Sequence, residues 1–410
     1  MLAVMIGLLA VGAGRARGEV LSLTEAERLA FADDPRIAGF GANAMALDAK
    51  SIADGELPDP ELRLGIMNWP IQTFDRAKEP MNKIEVGLRQ VFPRGRTWSL
   101  RTQRTASLAE VERRRGRAEA AKLLLAVRLD WLELFHLEQV LEIVLESRSV
   151  FQQIIQITES LYGVGRQNQQ DVLRARLELR LLEDRELDIN RRVEQARARL
   201  AKWIGPAASR RPMPPTMPVL PTPAPADDIL AGLAAHPEVA ISDAELEARH
   251  AGVDLANEAY KPEWSLDLAY GYRGDDISSR DRSDLFSVMV MVDLPLFTER
   301  RQDQRLSAAK HKAAQAMFQR DDRLRELRRM LDEQYAAWRR LGERENLYEQ
   351  AVIEEADNTF EASLRAYQND VTDFTAVMRD ELTKFKSLLE LHHIRIDRAM
   401  AHAKLLYLQR

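Results

Sequence analysis

Two stretches of the chain, 97–161 and 298–366, contain no proline and keep helical spacing of apolar side chains. Each covers about 65 residues, so at 1.5 Å per residue an unbroken helix would run roughly 100 Å. That is several times the diameter of a small domain, and no ordinary compact core can enclose it. Leu324, Leu327, Leu331, Tyr335, Trp338, Leu341, Tyr348 and Val352 keep a three/four rhythm, the seam of a coiled coil. In the first stretch Leu124, Val127, Trp131, Leu134, Phe135 and Leu141 cover more than one stripe, as on a helix packed on two sides. Charged residues make up 30% of the chain, and they line the remaining faces as a solvated surface would.

The long stretches belong to an internal duplication. A constant shift of 202 positions aligns Pro35 with Pro237, Pro60 with Pro262, Leu64 with Leu266 and Pro93 with Pro295. After a three-residue length change, Tyr162 aligns with Tyr367, Val172 with Val377, Arg174 with Arg379 and Leu177 with Leu382. The seam, 205–225, carries prolines at 206, 212, 214, 215, 218, 221, 223 and 225 and is expected to run extended. The expected organisation is a first repeat at 19–204, the linker at 205–225 and a second repeat at 226–410. Each repeat reads helix, strand, loop, strand, very long helix, turn, helix. Residues 1–18 are expected to be a secretory leader, because a short apolar run ending in small residues precedes Arg15.

Four segments alternate with period two: 61–69, 83–92, 264–273 and 285–294. In the third, Trp264, Leu266, Leu268, Tyr270 and Tyr272 alternate with Ser265, Asp267, Ala269, Gly271 and Arg273. Such ribbons suit a soluble sheet with one face on a core. They equally suit outer-membrane strands with one face to lipid and one to water. The flanking helices are too long to wrap two strands per repeat, which favours the membrane. Trp69, Phe92, Trp264, Tyr270 and Tyr272 are the expected interfacial aromatics. Four strands cannot close a barrel, and an open edge in hydrocarbon leaves backbone groups unpaired. Several chains must therefore share one barrel; two would fill it with side chains, and three would leave a bore.

The net charge of −5, without a basic patch, argues against nucleic acid as a partner. The absence of cysteine excludes disulfides, thiolate metal sites and a lipidated N-terminal cysteine. No phosphate loop, metalloprotease His pair or nucleophile elbow appears, so neither enzyme activity nor a cofactor is expected. Met289 and Met291 fall on the polar side of their strand, where thioethers suit Cu(I) or Ag(I) but also serve as ordinary gap-fillers. His392 and His393 are neighbours in sequence, so their rings point apart and cannot chelate as an i, i+4 pair does.

The ordered, duplicated set of segments resembles the TolC family of outer-membrane efflux proteins. The residues that carry the resemblance are Leu57-Pro58-Asp59-Pro60-Glu61-Leu62, Gln90-Val91-Phe92-Pro93, Tyr162-Gly163-Val164-Gly165 and Gln170-Asp171-Val172-Leu173-Arg174-Ala175. The resemblance implies a mainly helical fold with a small β part: a homotrimer with a twelve-stranded outer-membrane barrel and a periplasmic helical tunnel. It implies a passive exit duct in a Gram-negative outer membrane, with a periplasmic adaptor and an inner-membrane resistance-nodulation-division pump as partners. Met67-Asn68-Trp69-Pro70 and Glu79-Pro80-Met81-Asn82 are similar to members associated with heavy-metal pumps. By the same resemblance the turns at 163–169 and 368–375 form the tip, where Val164, Gly165, Arg166, Asn369 and Val371 would contact the adaptor. Asp171, Asp370 and Asp373 are the aperture candidates. Repeated by three-fold symmetry, Asp370 or Asp373 would form an acidic, cation-favouring ring; alternatively both are helix-start carboxylates. The competing expectation for the whole chain is a soluble periplasmic coiled-coil scaffold without a pore.

Overall fold

The computed structural model describes residues 20–410 other than Asp33, Arg76, Gln167, Ser279 and Asp370. The expected leader at 1–18 and the aperture candidate Asp370 therefore lie outside the described residues. In chain order the elements are α1 (Leu23–Phe31), α2 (Pro35–Ala53), β1 (Glu61–Met67), β2 (Lys83–Phe92), α3 (Thr97–Gly163) and α4 (Gln169–Ile204). After the proline-rich stretch come α5 (Ala226–Gly232), α6 (Pro237–Glu258), β3 (Glu263–Tyr272), β4 (Leu285–Asp293), α7 (Gln302–Leu347), α8 (Ile353–Gln368) and α9 (Phe374–Leu408). The fold is mainly helical with one small sheet, as expected.

The largest departures from the sequence expectation are at the end of β1 and in the second long helix. β1 stops at Met67 rather than at 69, because Asn68 adopts a positive φ of 57° and its side chain donates to the Met81 carbonyl at 3.0 Å. The second long helix starts at Gln302 rather than at 298. The chain first turns at Thr298, whose carbonyl accepts from the N–H groups of Arg301 and Asp303 at 3.0 and 3.1 Å. That helix is also not uniform, since a π-helical turn at Tyr348–Val352 separates α7 from α8. A π turn takes one extra residue into the helical ladder.

The chain divides into two compact units. One contains Pro35–Glu119 and Ala234–Glu326, and so holds the sheet with α2, α6 and the sheet-proximal parts of α3 and α7. The sheet is antiparallel in the order β1-β2-β3-β4, so the two central strands come from different repeats. The joint between β2 and α3 is built around Gly95, at φ 46°, where a Cβ would lie 2.0 Å from the Glu258 carboxylate. Only glycine fits that turn. Glu258 accepts from the Arg96 N–H and from Lys261 Nζ, both at 2.8 Å, and Arg94 donates to the Ala259 carbonyl at 2.9 Å. The exit of β2 is thereby fastened to the residues that enter β3.

The other unit contains the chain up to residue 34, Ala120–Leu233 and Leu327–Arg410. Its core is helix on helix, built from Val127, Trp131, Phe135, Leu200, Ile394 and Leu405, all buried. Trp131 is 0% exposed, stacks on Phe135 with ring centroids 5.5 Å apart, and donates from Nε1 to the Leu21 carbonyl at 3.0 Å. The Leu21 N–H in turn donates to the Pro212 carbonyl at 2.9 Å. One indole thus fastens the segment before α1, which is itself fastened to the proline-rich stretch.

Trp131→Phe should leave the Leu21 carbonyl buried without its donor and cost about 1–3 kcal/mol. Trp131→Ala should cost about 3–5 kcal/mol through the cavity it opens. Urea denaturation of the detergent-solubilised protein measures both; a Phe variant as stable as the parent would remove the indole hydrogen bond from this account.

Candidate functional site

The register of the sheet sorts its side chains onto two faces. Leu62, Leu64 and Ile66 of β1 lie opposite Leu88, Val86 and Ile84 of β2. The same face continues with Leu268, Tyr270 and Tyr272 of β3, and with Val288 and Phe286 of β4. This apolar face is exposed: Leu64 is 73% accessible, and Phe286, Val288, Val290 and Val292 are all open. The opposite face carries Arg63, Glu85, Arg89, Ser265, Asp267 and Met289. There Asp267 is only 2% exposed, paired with Arg63 at 2.6 Å and facing Arg89 at 3.8 Å. Lys83 pairs with Glu85 at 2.5 Å on the same side. A water-soluble sheet buries its apolar face and solvates its polar one. Here the arrangement is reversed.

The five expected aromatics separate by position. Phe92 and Trp264 are cross-strand partners at one end of the sheet, stacked with centroids 4.0 Å apart and an interplanar angle of 13°. Tyr270 and Tyr272 stand at the other end of β3, and the Tyr270 hydroxyl donates to Asp284. Trp69 lies in the loop beyond β1, half-buried. From Trp264 to Tyr272 is eight residue steps, roughly 27 Å along an antiparallel strand at about 3.4 Å each. β1 and β4 each pair on one side within the described sheet, so the chain ends in two open edges.

The helical turns show how each hairpin closes. α3 ends in a Schellman motif: Arg166 N–H donates to the Leu161 carbonyl and Gly165 N–H to the Tyr162 carbonyl, both at 2.9 Å. Gly165 supplies the required positive φ, 75°. Val164 and Arg166 are exposed. Asn168 occupies the N-cap position of α4, but its side chain makes no cap bond; its main-chain carbonyl takes the Asp171 N–H instead, at 3.1 Å. In the second turn Val371 N–H reaches back to the Ala366 carbonyl at 2.9 Å, and the Asn369 side chain donates to the Arg365 carbonyl at 2.8 Å. Asp373 is the N-cap of α9 and accepts from the Ala376 N–H at 2.8 Å.

The repeat-related tyrosines differ sharply: Tyr162 is 46% exposed and Tyr367 is 0%. The Tyr367 hydroxyl donates to Thr158 Oγ1 at 3.3 Å, and its ring meets Phe374 edge-on. Arg174 and Thr375 link the starts of α4 and α9 at 3.3 Å.

Sequence reasoning passed over Glu381, one carboxylate among many on α9. It is 2% exposed, and burial pushes its pKa up to about 7; Lys384 pulls it down and Asp357 pushes it up, while those two pair with each other. Folding therefore favours the neutral acid. Between an unfolded pKa of about 4.5 and a folded pKa of about 7 the native state holds the extra proton, so stability falls as pH rises through that window. The full shift corresponds to roughly 3 kcal/mol. Glu381→Gln should flatten the dependence and stabilise the protein at pH 8, as read by thermal denaturation at pH 5 and pH 8; an unchanged pH profile would show that Glu381 is not the source.

Among the described residues no helix is long and apolar enough to cross a membrane, and no group of three or more His, Asp or Glu side chains stands in metal-holding geometry. Residues 231–392 match the model of the outer membrane efflux protein family. No curated protein matches the chain significantly. Among solved structures, VceC from Vibrio cholerae is similar with a TM-score of 0.79 and 16% identity, covering 94% of this chain and 96% of that one. The outer-membrane channel OprN is similar with a TM-score of 0.79 and 17% identity over 96% and 93% of the two chains. CusC is similar with a TM-score of 0.78 and 16% identity over 94% and 91%. OprN and CusC are described as channels and VceC as an outer membrane protein. The second repeat is thus similar to the outer membrane efflux protein family, and nearly the whole chain shares the fold of VceC, OprN and CusC.

Proposed function

We propose that three copies of this chain form one passive exit duct through the outer membrane of a Gram-negative bacterium. The observation that carries this reading is the reversed sheet: an exposed apolar face, a polar face that buries Asp267, and an open edge on each side. In hydrocarbon those edges must be paired, and identical neighbours can pair β1 of one chain with β4 of the next. Three chains give twelve strands and a water-filled bore lined by the Arg63, Arg89 and Asp267 face. Phe92 with Trp264 at one end and Tyr270 with Tyr272 at the other then sit at the two membrane interfaces.

The protein should need detergent for extraction and run as a heat-sensitive trimer on gels. Val288→Arg, on the apolar face, should cost about 2–4 kcal/mol per chain and block assembly; Ser287→Arg, on the other face, should assemble normally. A monomer stable in plain buffer would favour the scaffold reading and end the channel assignment.

The helical turns are the proposed docking end for a periplasmic adaptor, through Val164, Gly165, Arg166, Asn369 and Val371. A resistance-nodulation-division pump in the inner membrane would deliver cargo, with heavy-metal ions the class that the 67–70 and 79–82 segments favour. Asp171, Asp370 and Asp373 are the proposed aperture carboxylates. For Asp373 charge and capping can be separated. Asp373→Asn keeps a cap acceptor and removes the charge, whereas Asp373→Ala removes both. Cation selectivity in planar bilayers should fall equally in the two variants if the carboxylate forms a ring; selectivity unchanged in both would leave Asp373 as a helix cap alone.

A further inference from the structure

Three imidazoles from two distant parts of the sequence meet in the helical unit. His136 on α3 has its ring centroid 5.8 Å from that of His393 and 6.4 Å from that of His392, both on α9. The adjacent pair splays, as two neighbours on a helix must, but the third ring comes from another helix and lies within reach of both. Nδ1 of His136 and Nδ1 of His392 are buried without a hydrogen-bond partner among the described residues. Buried polar atoms without partners are uncommon and call for an explanation. A groove of about 690 Å³ opens here, lined by His136 and His393 and by three carboxylates and three cationic side chains of α4 and α9.

We infer that His136 and His393 form a binding site for a late first-row divalent ion, Cu²⁺, Ni²⁺ or Zn²⁺. Imidazole nitrogen binds such ions at about 2.0–2.1 Å, so two rings on one ion place their centroids roughly 5–6.3 Å apart, depending on the angle at the metal. The His136–His393 separation falls inside that range, and the His136–His392 separation lies just beyond it. Nε2 of His393 faces Asp397 at 3.4 Å, which leaves Nδ1 as the lone-pair donor and lets the carboxylate orient the ring. Two protein ligands leave the remaining positions to water. The site is open and exchangeable rather than a structural metal cage. Late divalent ions are the class for which imidazole is the suitable donor, and the absence of cysteine excludes thiolate.

The inference does not depend on the channel assignment. Untagged full-length protein in detergent should bind one Cu²⁺ per chain in calorimetric titration at pH 7.5, with nitrogen hyperfine splitting in its electron paramagnetic resonance spectrum. His136→Ala and His393→Ala should each weaken binding at least tenfold and reduce the splitting. His250→Ala, an exposed imidazole on α6, should change neither. Because the His393 ring is exposed, its removal keeps the test sound even if His136→Ala perturbs folding. Parent affinity and an unchanged spectrum in His393→Ala would overturn the site, as would the absence of a nitrogen-ligated ion in the parent.

Discussion

The backbone of a strand carries its hydrogen-bonding groups wherever it goes, and in hydrocarbon no solvent can satisfy them. That constraint gives the rest of the molecule its logic. The four-stranded sheet has an exposed apolar face, a charged opposite face and two open edges, and the proposed trimer answers that constraint. The Arg63–Asp267 pair spans strands of both repeats, so the duplication is not two independent hairpins placed side by side; the central pairing of β2 with β3 makes one ribbon of them. The Gly95 joint then fixes how that ribbon is handed to the helices, through Glu258, Lys261 and Arg94.

Much of this was legible from the residues. Period-two alternation located all four strands because each has chemically opposite faces, and the absence of proline located the long helices. The end of the first long helix coincides with a glycine, Gly165, that takes the positive φ a Schellman turn needs. What was not legible was local and competitive. Nothing in the alternation says that Asn68 will turn left-handed and end β1, and Asn168 looks like a capping residue until its main-chain carbonyl takes the Asp171 N–H. The site residues are the hardest case. Glu381 and His136 are unremarkable letters on charged helices, and their character comes from burial and from side chains on other parts of the chain.

The two repeats also diverge in a way that alignment conceals. Tyr162 and Tyr367 occupy matching positions, yet one is open and the other is sealed against Thr158 and Phe374. Equal letters at equivalent positions thus serve different ends, and the second hairpin is the better anchored of the two at that level. Asp373, capping α9 where the first repeat has an unbonded Asn168 side chain, points the same way.

The π turn at Tyr348–Val352 has a geometric effect on everything after it. Each residue advances a helix by about 100°, so one extra residue rotates the side-chain pattern of α8 relative to α7 by close to a third of a turn. The side chains of α8 therefore point in other directions around the axis than an uninterrupted α-helix would give them, without a proline and without a break in the helix.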